Sequence, residues 1–266
     1  MKQNPENKEW IKKFYDSAVD WWGESWYDGE NLKGRLELIR KYIKNKSAGI
    51  LELGAGTGET AAYLAENGYQ ITAVELSRKN IGLIKKYSET RKNLLPIEGD
   101  FLSVKINKRF DGVCIFESFG FGTDQDQRRL LKRISKEWLK KNGIAILDAY
   151  HPFGPIKNSG KKIELDRLEN IPGSVDMTEY SYFDAIKSRW IDIWEPKNDK
   201  RKKRMQSIRC YSPADFLLLV DGTGLSCREM IFNNKKIDFK KGAISLQTEF
   251  ENNMNNYAYT VILEKQ

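Results

Sequence analysis

From residue 50 onward, short apolar runs alternate with longer segments in which apolar residues recur every three or four positions. Runs of the first kind are typical of buried strands, and segments of the second kind are typical of amphipathic helices. The predicted order is strand 50–53, helix 59–67, strand 70–74, helix 78–90, strand 94–98, strand 111–116, helix 126–139 and strand 144–149. This alternation predicts an α/β fold with a Rossmann-like, mostly parallel seven-stranded sheet and helices on both faces.

The alternation stops after Tyr150, where the prolines and glycines of residues 152–160 predict a loop. Four strand-like runs follow, and together they predict an antiparallel flap insertion laid over one end of the sheet. These runs are 161–165, 178–183, 188–194 and 203–210.

The last part of the chain is expected to complete the main sheet. Ser212 and Pro213 are residues that favour the start of a helix. Strands near 226–232 and 257–264 follow, and the polar segment 233–256 between them is expected to be exposed. The predicted division is an N-terminal helical cap (1–45), a Rossmann-like core (46–150), the flap insertion (151–210) and the C-terminal completion of the core (211–266).

The N-terminal 45 residues are predicted to be helical and are rich in aromatic residues. Four of the seven tryptophans lie before residue 30. Two interpretations are open. The rings form a helical lid that closes over a ligand, or they pack on the outside of the sheet.

Three glycines separate the first predicted strand from the first predicted helix. Gly54, Gly56 and Gly58 occupy alternate positions there. A glycine loop in this setting lets backbone N–H groups approach a ligand that no side chain blocks, although a simple strand-to-helix turn needs one glycine only. The loop therefore indicates a nucleotide-type cofactor.

Acidic residues narrow the identity of that cofactor. Glu75 ends the second strand, where a carboxylate can accept both ribose hydroxyls, and Asp100 with Phe101 follows the third strand, where it can contact adenine or form an ordinary turn. Glu59 stands where a dinucleotide fingerprint has its last glycine, and it would repel a pyrophosphate. Glu52, inside the first strand, can hold an ammonium group. A ligand with ribose, adenine, an amino group and a sulfonium, but no phosphate, fits best.

Composition excludes several other chemistries. The three cysteines form no CxxC pair and His151 is the sole histidine, so a zinc cluster, a facial iron site and a Ser/His/Asp triad all lack residues. No metal site is predicted, although a carboxylate-only magnesium site stays open. No apolar run reaches the roughly 18 residues of a membrane span, and the polar start is unlike a signal peptide, so a cytoplasmic location is expected.

Charge adds one further candidate feature. The net charge is +8 at pH 7, and residues 200–204 form a compact basic run. Such a run either contacts phosphate or forms the solvated tip of a hairpin.

Together these segments resemble the class I S-adenosylmethionine (SAM)-dependent methyltransferases, closely over residues 45–150 and loosely over 205–232. LELGAGTGE (51–59) is similar to the first motif of that family, Glu75 to the acid of its second strand and Gly99-Asp100 to its adenine-side turn. Further matching segments are IFESFGF (115–121), KEWLKKNGIAILD (136–148) and RCYSPADFLLLVDGTGL (209–225). The likeness is strongest to a subgroup that methylates small molecules, although Asn142 stands where the family often has proline.

The resemblance implies SAM as cofactor, S-adenosylhomocysteine (SAH) as product, and a set of contacts. It places Glu52, Gly54, Ala55, Gly56 and Gly58 around the methionine part of the cofactor. It places Glu75 and Leu76 at the ribose and the adenine edge, and Asp100 and Phe101 at adenine. It places Phe116 and Glu117 at the sulfonium, and Tyr15 as a lid tyrosine at the cofactor carboxylate.

The expected reaction is in-line transfer of a methyl group to a small-molecule acceptor, whose reacting atom the sequence does not specify. His151 is the candidate general base because its ordinary pKa is near neutrality, or it is a loop histidine without a role. The alternatives are an RNA or protein methyltransferase, and a non-catalytic SAM-binding regulator or nucleotide-dependent oxidoreductase. Neither the oligomeric state nor a membrane partner is indicated, and nucleic acid is not the favoured partner.

Overall fold

Helices and strands alternate through the first half of the chain, as the apolar pattern predicts. The computed structural model describes residues 9–25, 28–167, 174–237 and 257–266. The described helices are α1 (Glu9–Trp22), α2 (Gly29–Tyr42), α3 (Glu59–Glu66), α4 (Arg78–Thr90), α5 (Asp124–Arg133), α6 (Phe153–Asn158) and α7 (Pro213–Val220). The described strands are β1 (Gly49–Leu53), β2 (Gln70–Glu75), β3 (Leu94–Glu98), β4 (Phe110–Ile115), β5 (Leu139–Tyr150), β6 (Lys161–Leu165), β7 (Met177–Asp184), β8 (Arg189–Pro196), β9 (Arg204–Arg209), β10 (Leu225–Phe232), β11 (Lys235–Lys236) and β12 (Ala258–Lys265).

The main sheet has the strand order β11-β10-β12-β5-β4-β1-β2-β3. Strands β1 to β5 are parallel, and β12 runs antiparallel to both β5 and β10. The predicted fold class is confirmed, with one more strand than the expected seven because the two-residue β11 pairs with the end of β10. The strand order reverses between β1 and β4, and open α/β sheets bind their ligands beyond the carboxyl ends of the strands at such a point.

Helices cover both faces of the main sheet. On one face α2, α3 and α4 bury Leu36, Ala61 and Ile84 against it. On the other face α5 and α7 contribute Leu130 and Phe216 to the core. None of the helices in the described ranges is long and apolar enough to cross a membrane.

The flap is a separate antiparallel sheet with the order β6-β7-β8-β9, as predicted. The predicted loop at 152–160 is partly wrong, because α6 lies within it. Pro152 is the residue before the helix and Pro155 lies in its first turn, where backbone N–H groups have no partner inside a helix and a proline costs nothing.

The start of β5 also differs from the prediction. The strand begins at Leu139 rather than at residue 144, and a π-helical turn (Ile134–Trp138) joins it directly to α5. The predicted Asn142-Gly143 turn is a local irregularity within the strand, since Asn142 has a φ of 65° and the pairing with β4 shifts register between Phe110 and Gly112.

The aromatic N-terminus packs between the main sheet and the flap. Trp10, Phe14 and Trp21 of α1 form an apolar cluster with Phe121, Met177 and Ile208, and the last two belong to the flap. The rings of α1 therefore lie at the ligand end of the sheet and against the flap, which favours the lid interpretation. Trp26, Tyr27 and most of the predicted polar segment, residues 238–256, lie outside the described residues.

Candidate active site

A cavity opens at the carboxyl ends of β1, β2 and β4, between the main sheet, α1 and the flap. Its volume is about 250 Å³, far more than the roughly 10–15 Å³ that one water molecule needs. It is therefore large enough to be a ligand site rather than a packing defect. The lining residues are Ile11, Phe14, Tyr15, Trp22, Gly54, Gly56, Glu75, Leu76, Asp100, Phe101, Leu102, Phe116, Glu117, Ser118, Phe121, Tyr150 and Gln206.

The glycine loop forms the floor of the cavity. Gly54 has a φ of +71°, and a Cβ at this position would lie 2.6 Å from Oγ of Ser118. The N–H groups of Gly54 and Ala55 both donate to the carbonyl oxygen of Val74, at 2.9 and 3.1 Å, so the loop is tied to β2. Gly54 and Gly56 line the cavity.

Gly58 has a different role from the one expected. Its Cβ would lie 2.5 Å from Cγ1 of Ile84 in α4, and its φ is +88°. Gly58 and Ala55 are not among the lining residues. The structure thus explains Gly58 by the close approach of α3 to α4, and it does not bring Gly58 or Ala55 to the cavity.

Glu75 ends β2 with its carboxylate held by the backbone. Oε2 accepts a hydrogen bond from N–H of Gly56 at 2.9 Å, and Oε1 accepts one from N–H of Ser77 at 2.8 Å. Burial raises the pKa of Glu75 to about 7, and the N–H groups of Ser77 and Gly56 oppose that rise. The side chain lines the cavity, where it can accept hydrogen bonds from ligand hydroxyls.

Glu52 lies behind the cavity wall. It is 2% exposed, and its Oε2 has no hydrogen-bonding partner among the described residues. Burial raises its pKa to about 7, while Arg35 lowers the pKa and Glu75 raises it further. Glu52 is not among the residues that line the cavity, contrary to the contact with the methionine part that was expected of it.

Arg35 contacts two residues that line the cavity, Glu117 and Phe116, and the sequence did not reveal these contacts. From α2 it donates to Oγ1 of Thr60 and to Oε1 of Glu117, both at 2.7 Å, and its guanidinium lies 4.8 Å from the centre of the Phe116 ring. Its positive charge lowers the pKa of Glu52, although burial raises that pKa by more. An arginine on an amphipathic helix looks like an ordinary solvent-facing residue, so the sequence carries no signal for this role.

The predicted adenine and sulfonium residues also reach the cavity. Asp100, Phe101, Leu76, Phe116 and Glu117 all line it. Oδ1 of Asp100 accepts a hydrogen bond from N–H of Leu102 at 2.8 Å, which is the geometry of an ordinary turn. Oδ2 of Asp100 takes no part in that hydrogen bond.

The lid and the flap supply the remaining wall. Tyr15 lines the cavity, next to Phe121 at 5.8 Å between ring centres, and its contact with the cofactor carboxylate stays a prediction. Trp22 of the lid contacts Trp194 of the flap, with ring centres 4.9 Å apart. Gln206 of β9 also lines the cavity, and no sequence pattern pointed to it.

His151 does not line the cavity, so the structure gives no support for it as a general base. It is fully buried, with its ring near those of Phe153 and Phe232, and its Nδ1 accepts a hydrogen bond from N–H of Phe153 at 3.2 Å. The cause is strand geometry. Tyr150 projects into the cavity from the end of β5, and successive residues of an extended chain project to opposite sides.

The raised pKa of Glu52 predicts a pH dependence of stability, and Glu52→Gln should remove the part that Glu52 contributes. Because the folded pKa of Glu52 is raised from 4.5 to about 7, the stability that it contributes is present below pH 4.5 and is lost as the pH rises through 7. Relative to the variant, the wild type should therefore lose up to about 3 kcal/mol of unfolding free energy as the pH rises from 5 to 8. Urea unfolding of both proteins over this range checks the sign, and a difference that stays constant with pH would contradict it.

Comparison with known proteins gives one family match and several relatives. Residues 50–143 match the family described as "Methyltransferase domain". The cypemycin N-terminal methyltransferase of a Streptomyces species is 33% identical over 39% of this chain and 42% of its own length. The ubiquinone biosynthesis O-methyltransferase of Rickettsia typhi is 25% identical over 88% of this chain and 87% of its own length.

Solved methyltransferase structures share the fold over nearly the whole chain. The CcbJ methyltransferase of Streptomyces caelestis superposes with a TM-score of 0.73 at 17% identity, over 97% of this chain and 99% of that one. CalS10, an amino pentose methyltransferase of Micromonospora echinaspora with SAM bound, has a TM-score of 0.61 at 16% identity over all of both chains. At these identities the likeness concerns the fold.

Proposed function

We propose that the chain, a class I SAM-dependent methyltransferase, methylates a small-molecule acceptor held between the main sheet and the flap. One observation carries the proposal. A single cavity joins the glycine loop and Glu75 to Tyr150 and to Gln206 of the flap. An acceptor bound at the flap end therefore shares one space with a cofactor bound at the glycine loop.

We assign the cofactor to the sheet side of this cavity. Glu75 offers a buried carboxylate for the ribose hydroxyls, and Asp100 with Phe101 borders the adenine position. The free, buried Oε2 of Glu52 supports a cationic amino group nearby, either in contact or through water. Gly54 and Gly56 keep the loop clear of side chains, whereas Gly58 and Ala55 act from behind it.

Catalysis by the chain itself is proposed to rest on alignment and exclusion of water. SAM supplies a methyl group that its sulfonium already activates. The chain then has to hold the acceptor in line with that methyl group, which by itself lowers a barrier substantially. Aromatic rings of Phe14, Phe116, Phe121 and Tyr150 line the cavity and keep it apolar, and their faces also suit a nearby cation.

Methyl transfer to three classes of acceptor distinguishes this proposal from its alternatives. Purified protein is incubated with SAM labelled in the methyl group, together with a small-molecule extract, total RNA or a protein extract. We expect label in the small-molecule fraction and SAM binding by calorimetry. Label confined to RNA or protein would overturn the proposal, and SAM binding without transfer to any class would favour a regulator.

The structure offers little for a nucleic-acid acceptor. The basic run 200–204 lies at the turn between β8 and β9, where Arg201 pairs with Asp199 and Lys203 pairs with Glu195. Its position is that of an exposed hairpin tip. If RNA were the acceptor, its binding would weaken steeply with salt concentration.

A further inference from the structure

The inner face of the flap carries two acidic side chains. In the register of the flap, Asp192 pairs with Ser181 on one side and with Gln206 on the other, and Glu179 pairs with Trp194. Directly paired residues project from the same face of an antiparallel sheet, as do alternate residues of one strand. Asp192, Glu179, Gln206 and Trp194 therefore share the face that contacts the lid and the cavity.

Asp192 is buried and Glu179 is half-buried, and within the described ranges neither acid forms an ion pair with a cationic side chain. Asp192 is 1% exposed, and its Oδ2 accepts a hydrogen bond from Nε2 of Gln206 at 3.0 Å. Its Oδ1 is buried without a partner within the described ranges. Burial raises the pKa of both acids, and the charge of Glu179 adds to the rise at Asp192. A positive charge placed beside the two acids would therefore be favourable.

Aromatic rings connect this acid pair to the cavity. Trp190, next but one to Asp192 on β8, has its ring centre 5.6 Å from that of Tyr150 and 5.0 Å from that of Tyr257. Tyr150 and Gln206 both line the cavity, so the acids lie one side chain behind its wall. Both acids also act on Tyr257, whose pKa is raised first by burial and then by their charges.

A buried negative charge next to π faces is the pattern that recognises an organic cation. A carboxylate pair without a counter-charge is costly in a low-dielectric interior, and a bound cation offsets that cost. Aromatic faces attract ammonium groups further. A neutral acceptor of the same shape gains from neither effect.

We propose that the acceptor carries a cationic amino group, which binds at the flap end of the cavity against Gln206, Tyr150 and Trp190, with Glu179 and Asp192 as its counter-charge. This inference rests on the proposed function, because it names the class of small molecule that the cavity receives. It assigns recognition to the acid pair and leaves the methylated atom unassigned.

Cyclohexylamine and cyclohexanol test this inference as a charged and a neutral probe of similar shape. Their binding to the SAH-saturated protein is followed by tryptophan fluorescence near neutral pH. We expect the wild type to bind the amine at least about tenfold more tightly than the alcohol. Asp192→Asn and Glu179→Gln should each reduce that preference several-fold. Glu195→Gln, on the outer face of the same strand, is the matched control and should leave it unchanged.

The outcomes that overturn the inference are distinct from failure of the proposed function. Equal binding of the two probes, no binding of the amine, or an unchanged preference in both variants would each overturn it. SAH affinity and circular dichroism of every variant verify that the protein is folded and loaded. If a neutral compound proves to be the methylated acceptor, the inference fails while the proposed function stands.

Discussion

Glu75→Gln is expected to weaken the binding of SAM and SAH by about 10- to 100-fold, the effect of losing a charged hydrogen-bond acceptor. The side chain is buried at the cavity, and its carboxylate also accepts N–H groups of Gly56 and Ser77. An amide would present an NH₂ group to one of these donors or to the ribose. The predicted loss is thus in cofactor affinity, measured by calorimetry.

Glu98→Gln is the matched control for this prediction. Glu98 pairs directly with Glu75 across β2 and β3, yet it is exposed and makes an ion pair with Arg78 at 3.1 Å. We expect its replacement to leave SAH affinity within about twofold, as for most exposed ion pairs. If both variants bind SAH like the wild type, the assignment of the ribose to Glu75 is wrong.

Gly54→Ala is expected to cost both stability and cofactor affinity. The φ of +71° strains any residue with a Cβ, and that Cβ would lie 2.6 and 2.7 Å from Oγ and Cβ of Ser118. Left-handed strain plus displacement of Ser118 should lower the free energy of unfolding by roughly 2–4 kcal/mol. Because Gly54 and Ser118 both line the cavity, SAH affinity should fall with it, at least about tenfold.

Variants of two other glycines distinguish the effect on stability from the effect on cofactor affinity. Gly82→Ala, in α4 with nothing near the added Cβ, should leave SAH affinity unchanged and increase stability by up to about 1 kcal/mol. Gly58→Ala should lower stability through its contact with Ile84 but reduce SAH affinity less than Gly54→Ala does. Urea unfolding and calorimetry on the three variants check this order. Equal losses of affinity at positions 54 and 58 would contradict the assigned roles.

Local patterns were sufficient for the elements that the sequence predicted correctly. Alternating apolar runs specify β1 to β5, and the glycines with Glu75 follow the strands that bring them to one edge of the sheet. Gly54, Gly56, Glu75 and Asp100 all line one cavity. Their function as ligand contacts stays a prediction.

The remaining site residues depend on contacts between distant parts of the chain. Arg35 meets Glu117 across 82 positions, and the lid meets the flap through Trp22 and Trp194. No periodicity within a single segment encodes such pairs. His151 was proposed as a base because the ordinary pKa of histidine is near neutrality. Whether its ring reaches the cavity depends on the side of the extended chain from which it projects, which the pKa does not reveal.

The acid pair of the flap was overlooked for a related reason. Glu179 and Asp192 lie 13 positions apart, each in a strand where a single acid is usual for a solvent-facing position. Only the pairing of β7 with β8 and β9 places them side by side behind Gln206. Strand register is set by the whole hairpin, so the sequence pattern alone did not place them on the inner face.

A crystal structure of the protein with SAH is the most direct test of where the cofactor binds. We expect SAH in the cavity between α1, the main sheet and the flap, with its ribose hydroxyls on Glu75, its adenine beside Asp100 and its sulfur directed toward Tyr150 and Gln206. SAH bound elsewhere, or with its sulfur directed away from the flap, would contradict the proposed site.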